Sequence, residues 1–396
     1  MDERILNPIS VQELERRWAA VRVQMQTNGL DALVVQGFAN MVGLGGYFRW
    51  LTGINAANAK SQSVIFPASG LMTLVKHGRF NEEKTFDGTN DYLPGIGRQL
   101  GTPNFCSVSY TCDAEAELIA REIKKCGYRN VGLVGVNNMF FGFGQRLQQV
   151  ADGVAFVDAT ELIDPIRAIK SPEEIGLIRR STAMQDEIMK KIRDHIRPGM
   201  KDFEVMAYGE YLGALLESEN GYITGSSAPP GELASIRHRS YQGRTMHEGD
   251  ILYFHIENGG PGGQFTHLGR FFVLGKVPQE LTDAFGNVLE AQEFTLKLLR
   301  PGASCSEIFA EYNAYLRSKG LPEEGRIHCH GQGYDVVERP LVRCDESMTI
   351  AANMSIGSHP AYSTKTLYMT VCDNFLTHAD GSVERLHRTP LEIFEL

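Results

Sequence analysis

The stretch that decides the fold is His330-Gly331-Gln332-Gly333-Tyr334-Asp335-Val336-Val337-Glu338-Arg339-Pro340, in the C-terminal half of the chain. Its histidine titrates near working pH and is therefore suited to moving a proton. Arg339 is suited to holding a carboxylate, because a planar guanidinium can donate two parallel hydrogen bonds. These residue types indicate an active site, and the rest of the chain indicates the fold that carries it.

The composition is that of a soluble globular enzyme large enough for two or three domains. The chain has 396 residues, of which 42% are hydrophobic and 22% are charged, close to the average for soluble proteins. Its net charge is −9. This charge argues against a nucleic-acid partner, because phosphate binding needs a basic surface.

Cysteine usage and the N-terminus predict a cytoplasmic protein without a membrane anchor. The seven cysteines are odd in number and none stand at CxxC spacing, so a reducing compartment is expected and a disulfide framework is not. The N-terminal MDERILNPIS carries acids and no apolar core, unlike a signal peptide. No apolar run approaches the roughly 20 residues that a membrane span needs.

The first part of the chain alternates helices and strands. A capping box at Ser10-Val11-Gln12-Glu13 opens a helix that ends at Gly29. The pattern further predicts a helix near residues 114–125 and strands near residues 31–36, 63–66, 71–75, 131–135 and 154–157. This alternation predicts an α/β domain over residues 1–165.

A second domain, over residues 166–396, opens on a helix and contains a weak internal repeat. The helix start at Ser171-Pro172-Glu173-Glu174 combines a capping box with a proline in the first turn. Residues 196–207 match residues 299–310 around a shared Arg-Pro-Gly, and each copy joins two amphipathic helices. The repeat predicts two half-domains with a site where they meet; alternatively, Arg-Pro-Gly is only a common helix stop.

Over almost its whole length the chain resembles the creatinase/aminopeptidase P/prolidase (M24) family. The His330 motif is similar to the family's histidine motif, and residues 167–175 are similar to the start of its C-terminal domain. The resemblance implies an α+β fold, in which a C-terminal "pita-bread" domain of curved antiparallel sheet and two helix pairs follows a smaller creatinase-like α/β domain. It also implies an enzyme that hydrolyses C–N bonds.

Most members of that family hold two metal ions through five ligands, and the resemblance maps those five positions onto this sequence. They fall on one carboxylate, two histidines, an amide and a thiol: Glu257, His267, His330, Asn353 and Cys372. A dinuclear site for hard ions needs bridging carboxylates and oxygen ligands, which this set lacks. The sequence therefore predicts that no metal is bound and that no cofactor is needed.

A zinc alternative stays open at this point. Glu257, His267, His330 and Cys372 form a plausible set of nitrogen, sulfur and oxygen ligands for one Zn²⁺ ion. Such an ion could polarise a carbonyl group or activate water. Against it, Cys372 could be a buried strand cysteine that packs as a small hydrophobe, which is the commoner situation.

Without a metal, the predicted catalytic residues are His330, Glu257 and His238. The resemblance implies that His330 moves a proton and that Glu257 acts as base or nucleophile, as in creatinase and ectoine hydrolase. His238 corresponds to the family's upstream substrate-contacting histidine and could stabilise a developing oxyanion.

Six residues are predicted to bind substrate. They comprise two residues near the N-terminus and four in the C-terminal domain: Phe48, Arg49, His267, Arg339, Asn353 and Cys372. The segment Tyr47-Phe48-Arg49-Trp50 is similar to the one that caps the neighbouring active site in creatinase dimers. The resemblance thus implies a homodimer in which the N-terminal domain of one subunit lies near the site of the other.

The predicted function is metal-independent hydrolysis of a non-peptide C–N bond in a small, carboxylate-bearing substrate. Two other classes stay open, because fold alone does not decide function. One is a metal-dependent Xaa-Pro-type peptidase or lyase on the same fold. The other is a non-catalytic binding protein.

Overall fold

A computed structural model describes residues 3–396, which divide into two compact units that separate after Arg167. Within this range no helix is both long and apolar enough to cross a membrane. The helices are α1 (Val11–Thr27), α2 (Gly46–Thr52), α3 (Tyr110–Cys126), α4 (Phe141–Val150), α5 (Thr160–Ala168), α6 (Pro172–His195), α7 (Asp202–Leu215), α8 (Gln279–Leu298) and α9 (Cys305–Ser318).

The first unit is a mixed sheet with helices packed on it. Its strands are β1 (Ala32–Gly37), β2 (Ala39–Asn40), β3 (Gly43–Leu44), β4 (Gln62–Pro67), β5 (Met72–His77), β6 (Glu82–Thr85), β7 (Ile96–Thr102), β8 (Asn130–Val134) and β9 (Ala155–Asp158). Seven of them form one sheet in the order β6-β7-β5-β4-β1-β8-β9. The strands predicted near residues 63–66 and 71–75 are present as β4 and β5, which pair antiparallel.

The segment around Phe48 is not an exposed lid. It forms the short helix α2, in which Phe48 is 0% and Arg49 is 5% exposed. The packing is close: a Cβ added at Gly37 would lie 2.4 Å from the Cβ of Phe48. The prediction that these two side chains bind substrate is therefore corrected, since both are buried inside the first unit.

The second unit contains two mainly antiparallel sheets flanked by two helix pairs. Its strands are β10 (Asn220–Ala228), β11 (Ile251–Gly259), β12 (Phe265–Val273), β13 (Cys329–Gly331), β14 (Glu338–Leu341), β15 (Ser355–Ser358), β16 (Ala361–Ser363), β17 (Tyr368–Thr370), β18 (Asp373–Thr377), β19 (Val383–Arg385) and β20 (Phe394–Glu395). The two sheets run β10-β11-β12-β20 and β14-β13-β15-β18-β19, and β12 and β20 pair parallel at the edge of the first. An isolated bridge between Gly269 and Cys372 joins them.

The Arg-Pro-Gly repeat marks the turns inside the two helix pairs. Gly199 lies between α6 and α7 with φ 94°, and Gly302 lies between α8 and α9 with φ 91°. Only glycine adopts this region readily, so the same residue type makes the turn that follows each first helix. The predicted capping box of α6 is also present, with Ser171 Oγ accepting from the Glu174 N–H. The prediction of repeated helix pairs is confirmed.

A buried ion pair fixes β12 to the start of β18. Arg270 Nη2 lies 3.0 Å from Asp373 Oδ1, and both side chains are fully buried. Arg385 donates to the same carboxylate oxygen at 3.0 Å. Burial alone would raise the pKa of Asp373, but Arg270, His387 and Arg385 hold it below its ordinary value.

Replacing Asp373 by asparagine is expected to lower the free energy of unfolding by about 3–5 kcal/mol, because it leaves the buried Arg270 without its counter-charge. The pKa of Asp373 is lower in the folded than in the unfolded protein. The stabilisation by its carboxylate is therefore fully present above about pH 4, the pKa in the unfolded chain, and is lost as the pH falls through the pKa in the folded protein. Urea unfolding at several pH values measures both effects. The control is Asp345→Asn, which removes an exposed ion pair with Arg343 and should change the free energy of unfolding by less than about 1 kcal/mol. An equal loss of stability in both variants would contradict the importance of the buried pair.

Candidate metal and catalytic site

The floor of the candidate site is the hairpin of β11 and β12. Glu257 and His267 are direct partners across the two strands, and Glu257 Oε1 lies 3.7 Å from His267 Nδ1. His255 lies two residues before Glu257, so both side chains point to the same face of the sheet. All three side chains are buried. The register therefore places a carboxylate and two imidazoles together inside the protein.

The second sheet supplies two further histidines. His330 lies on β13, and its ring centroid is 5.8 Å from that of His267. His359 directly follows β15, the partner strand of β13, and its ring lies 5.1 Å from His330 and 5.5 Å from His267. The rings of His255, His330 and His359 thus all lie next to that of His267 where the two sheets meet.

Hydrogen bonds to backbone carbonyls fix how two of these rings are oriented. His267 Nε2 lies 3.2 Å from the carbonyl oxygen of Asp373, and His330 Nδ1 lies 2.9 Å from that of Gly331. A carbonyl only accepts, so these nitrogens carry the protons and the other nitrogen of each neutral ring keeps a free lone pair. Imidazoles held this way are typical of metal ligands.

Two groups of possible metal ligands result, and they share His267. One group is Glu257, His267 and His330; the other is His255, His267 and Cys372. Within each group the ligand atoms lie within 4.8 Å of one another. The Nδ1 atom of His255 is buried and has no hydrogen-bond partner among the described residues, which is unusual for a buried polar atom unless an ion or water completes its contacts.

These donors fit one divalent ion better than two. Both groups together contain one carboxylate, whereas two divalent ions would bring four positive charges. Burial raises the pKa of the Cys372 thiol to about 12, so Cys372 supplies no second negative charge unless an ion is bound. The nitrogen-rich donor set is suited to zinc rather than to hard ions such as Mn²⁺.

Glu257 is held in its ionised form by its neighbours. Tyr222 donates a short hydrogen bond to Oε2, and Gln332 Nε2 donates to Oε1 at 3.2 Å. Burial alone would raise the pKa of Glu257, but the adjacent His267, His255 and Tyr222 lower it to about 2. The carboxylate is therefore ready to bind a cation.

Three histidines around His267 are held neutral. Burial, with a smaller contribution from His267, lowers the pKa of His330 to about 4. Burial likewise lowers the pKa of His255 to about 4 and that of His359 well below its ordinary value. Only a neutral imidazole has a lone pair for a metal, so the site favours the ligating form at neutral pH.

Two glycines leave the space that the cluster occupies. A Cβ at Gly357 on β15 would lie 2.8 Å from His267 Nε2, and a Cβ at Gly269 would lie 3.1 Å from Cys372 Sγ. Both distances are shorter than ordinary contacts to a Cβ. The position of His267 therefore depends on the absence of a side chain at Gly357 on β15.

Three of the predicted site residues lie elsewhere. Asn353 is exposed in a turn with φ 65°. Arg339 donates to Glu346 through Nε and Nη2 and is not available to a substrate carboxylate. His238 is exposed, and its ring accepts from and contacts Ser240. The structure thus corrects Asn353 and Arg339 as substrate-binding residues and places His238 on an exposed loop outside the buried cluster.

Sequence reasoning missed His255, His359, Tyr222 and Gln332. His255 could have been found from the alternation of strand β11, because it lies two residues before Glu257. Gln332 stands in the His330 motif itself. His359 and Tyr222 carry no local signal, since their positions depend on how strands far apart in the chain pair.

The comparisons with known proteins give the family. The profile described as metallopeptidase family M24 matches residues 176–379, and that of the creatinase/prolidase N-terminal domain matches residues 17–169. The chain belongs to metallopeptidase family M24. The predicted fold and the prediction of a hydrolase that acts on C–N bonds are confirmed by this membership.

Individual relatives are distant but cover most of the chain. An ectoine hydrolase from Halomonas elongata is 25% identical over 348 residues, which are 83% of this chain and 82% of that protein. An Xaa-Pro dipeptidase from Pyrococcus horikoshii is 24% identical over 273 residues, 67% of this chain and 75% of that protein. The crystal structure of a prolidase from Thermococcus sibiricus superposes with a TM-score of 0.78 at 19% identity, covering 97% of this chain and 99% of that one.

The prediction that the protein uses no metal is wrong. The matching family is one of metallopeptidases, and the structure brings two groups of metal-binding side chains together. The prediction rested on the missing carboxylates, but His255 adds an imidazole to the possible ligands His267 and His330. The four residues of the alternative zinc site do not form one group of ligands either. Cys372 lies with His255 and His267, and not with Glu257 and His330.

Proposed function

We propose that this protein is a metal-dependent hydrolase that holds one ion, preferably zinc, at Glu257, His267 and His330. The observation that carries the proposal is the convergence of these three buried side chains, with a free imidazole nitrogen on each histidine. Two histidines and a glutamate, with a further position open, are a common ligand set of zinc hydrolases. When bound, the ion would polarise a substrate carbonyl and activate water.

The protein side chains around the ion would position and transfer protons. Burial and the adjacent Glu257 raise the pKa of Tyr222, so its hydroxyl keeps its proton and anchors the carboxylate. Gln332 holds the other carboxylate oxygen and is itself fixed by Asn374 Nδ2 at 2.7 Å. His359 lies beside His330 but in neither ligand group, so it is the imidazole free to exchange a proton with substrate.

The proposed substrate carries a carboxylate, and Arg326 is the residue that would bind it. Arg326 is exposed, four residues before His330, and its side chain has no carboxylate partner among the described residues. Burial is the main cause of the lowered pKa values of His330 and His359, and the positive charge of Arg326 contributes to both. An unpaired guanidinium whose charge reaches two site histidines is suited to anchoring an anion at the entrance of the site.

Replacing Arg326 by glutamine is expected to raise KM for a carboxylate-bearing substrate about tenfold or more, because a hydrogen bond to a charged group contributes about 1.5–3 kcal/mol. The matched control is Arg317→Gln, whose exposed side chain pairs with Glu323 instead. Kinetics on a substrate and on its carboxamide analogue measure the effect. If Arg326→Gln changed KM equally for both compounds, a carboxylate contact would be excluded.

The proposed scissile bond is a C–N bond outside a peptide. The similarity to a protein named as an ectoine hydrolase supports this choice, and the similarity to an Xaa-Pro dipeptidase supports a dipeptide as second candidate. A panel of cyclic amidines, N-acyl amino acids and Xaa-Pro dipeptides separates the two. We expect turnover of a non-peptide compound, abolished by chelator and restored by zinc. Turnover confined to Xaa-Pro dipeptides would establish the second candidate instead.

A cytoplasmic homodimer is part of the same proposal. Its support is the resemblance of the whole chain to creatinase, and not residues 47–50, whose side chains Phe48 and Arg49 are buried. The seven cysteines, which are all free thiols, support the cytoplasmic location. Sedimentation equilibrium of the purified protein tests the dimer. A monomer at micromolar concentration would contradict it.

A further inference from the structure

A second cavity lies in the C-terminal unit, between α6 and the segment that leads to β20. Its volume is about 350 Å³, which is in the range of small-molecule pockets. Three cations and three apolar side chains contribute to its lining: Lys190, Arg193, Arg388, Met189, Pro390 and Phe394. None of the proposed metal ligands lines it.

Two of the three cations of this cavity have no acidic side chain as a partner among the described residues, although two acids also line it. Lys190 and Arg193 stand one turn apart on α6, and Arg388 faces them from the C-terminal segment. The side chains of Lys190 and Arg388 have no carboxylate partner among the described residues, and Arg193 lies over the ring of Phe394 at 4.8 Å. In a chain with a net charge of −9, three such cations around one cavity form a local anion-attracting field.

Both acids in the cavity wall, Asp186 and Glu187, are already engaged, and Glu187 lies 3.5 Å from Lys191, which does not line the cavity. Asp186 accepts from the backbone N–H of Arg388 at 2.8 Å and from the N–H and Oγ1 of Thr389 at 2.9 and 2.6 Å. Three donors satisfy its oxygens, so it holds the wall in place and does not pair with the cations.

Hydrogen bonds from the buried Arg270 also hold the cavity wall in place. Arg270 Nε donates to the carbonyl oxygen of Pro390 at 2.8 Å, and Arg270 Nη2 donates to that of Thr389 at 3.2 Å. Phe394 is buried, with its ring stacked on Phe272 at 5.2 Å. A preformed wall lowers the entropy that a ligand must lose on binding.

We propose that this cavity binds a small organic phosphate. The phosphate group would lie between Lys190 and Arg388, and the apolar part of the ligand would contact Met189 and Pro390. A phosphate monoester carries about −1.5 to −2 charges at pH 7 and three acceptor oxygens, which match several cations on two elements better than a monocarboxylate does.

Titration calorimetry of the full-length protein with phenyl phosphate tests this proposal. We expect binding with a Kd below about 1 mM, weakened about tenfold or more in Lys190→Gln and in Arg388→Gln, because each variant removes a charged hydrogen bond. The matched control is Lys297→Gln, since Lys297 is an exposed lysine on α8 that lies 2.9 Å from Glu293 and does not line the cavity. Its affinity is expected to equal that of the unmodified protein.

Three results would overturn the proposal. The first is no binding, or equal binding by both cavity variants and the control. The second is equally tight binding of benzoate, which would remove the preference for phosphate. The third is loss of binding in His330→Ala with retention in Arg388→Gln, which would place the phosphate in the catalytic site instead.

Discussion

His267→Ala is expected to purify without bound metal and to lose all measurable hydrolysis. His267 belongs to both groups of possible ligands, so its removal leaves at most two donors in either group. Two donors do not complete the three protein ligands that a catalytic zinc site needs. Metal content by inductively coupled plasma mass spectrometry and chelator-sensitive activity give the two readouts.

The matched control for this variant is His238→Ala. His238 is also a histidine of the second unit, but it is exposed and hydrogen-bonds Ser240. We expect this variant to keep its full metal content. Retention of metal by His267→Ala would contradict the assigned ligand set, whereas loss of metal in both variants would show that the effect is not specific to the buried cluster.

Gly357→Ala is expected to weaken metal binding about tenfold to a hundredfold, although position 357 offers no ligand. The added Cβ would lie 2.8 Å from His267 Nε2 and 3.1 Å from Gln332 Oε1. Neither atom can withdraw freely, because His267 is bonded to the carbonyl of Asp373 and Gln332 to Asn374. The imidazole must therefore shift away from the position in which its free nitrogen faces Glu257. Competition with a zinc chelator of known affinity measures the change.

Gly286→Ala on α8 is the control for that experiment. No atom lies within 4 Å of a Cβ at Gly286, and alanine is favoured over glycine inside a helix by up to about 1 kcal/mol. We expect unchanged metal affinity and equal or higher stability. An unchanged affinity in Gly357→Ala as well would mean that the packing between β15 and His267 does not set the ligand position.

Local signals were sufficient for much of the fold. The capping box at Ser171, the Arg-Pro-Gly turns and the alternating strands of the first unit each depend on interactions within a few residues. Such interactions can be predicted from a single sequence, because they require particular residue types at short, fixed spacing. The helix pairs of the second unit were predicted in this way.

The site was only partly predictable, and the failures have physical reasons. Glu257, His267 and His330 were found because the family motifs stand next to them in the chain. Asn353 was selected by counting residues, and counting does not reveal a turn of positive φ that leaves its side chain exposed. His359 was missed because it reaches the cluster only through the pairing of β13 with β15.

The error about the metal followed from the same limitation. A carboxylate missing at a ligand position is visible in the sequence, whereas His359 reaches the cluster from another strand and has no local signal. His255 was overlooked, although the alternation of β11 places it on the same face as Glu257. His255 and His359 each contact His267, at ring distances of 6.1 and 5.5 Å. Likewise, Phe48 and Arg49 have the composition of a ligand lid, yet the close approach of Gly37 lets them pack inside the first unit.

The metal content of the purified protein, measured by inductively coupled plasma mass spectrometry, tests the central claim most directly. We expect one zinc ion per chain, which chelator removes together with activity and whose return restores activity. Less than about a tenth of a metal ion per chain, in protein that remains active after chelation, would contradict the proposed metal dependence. Two ions per chain would contradict the conclusion that the single carboxylate Glu257 and its histidines hold one ion.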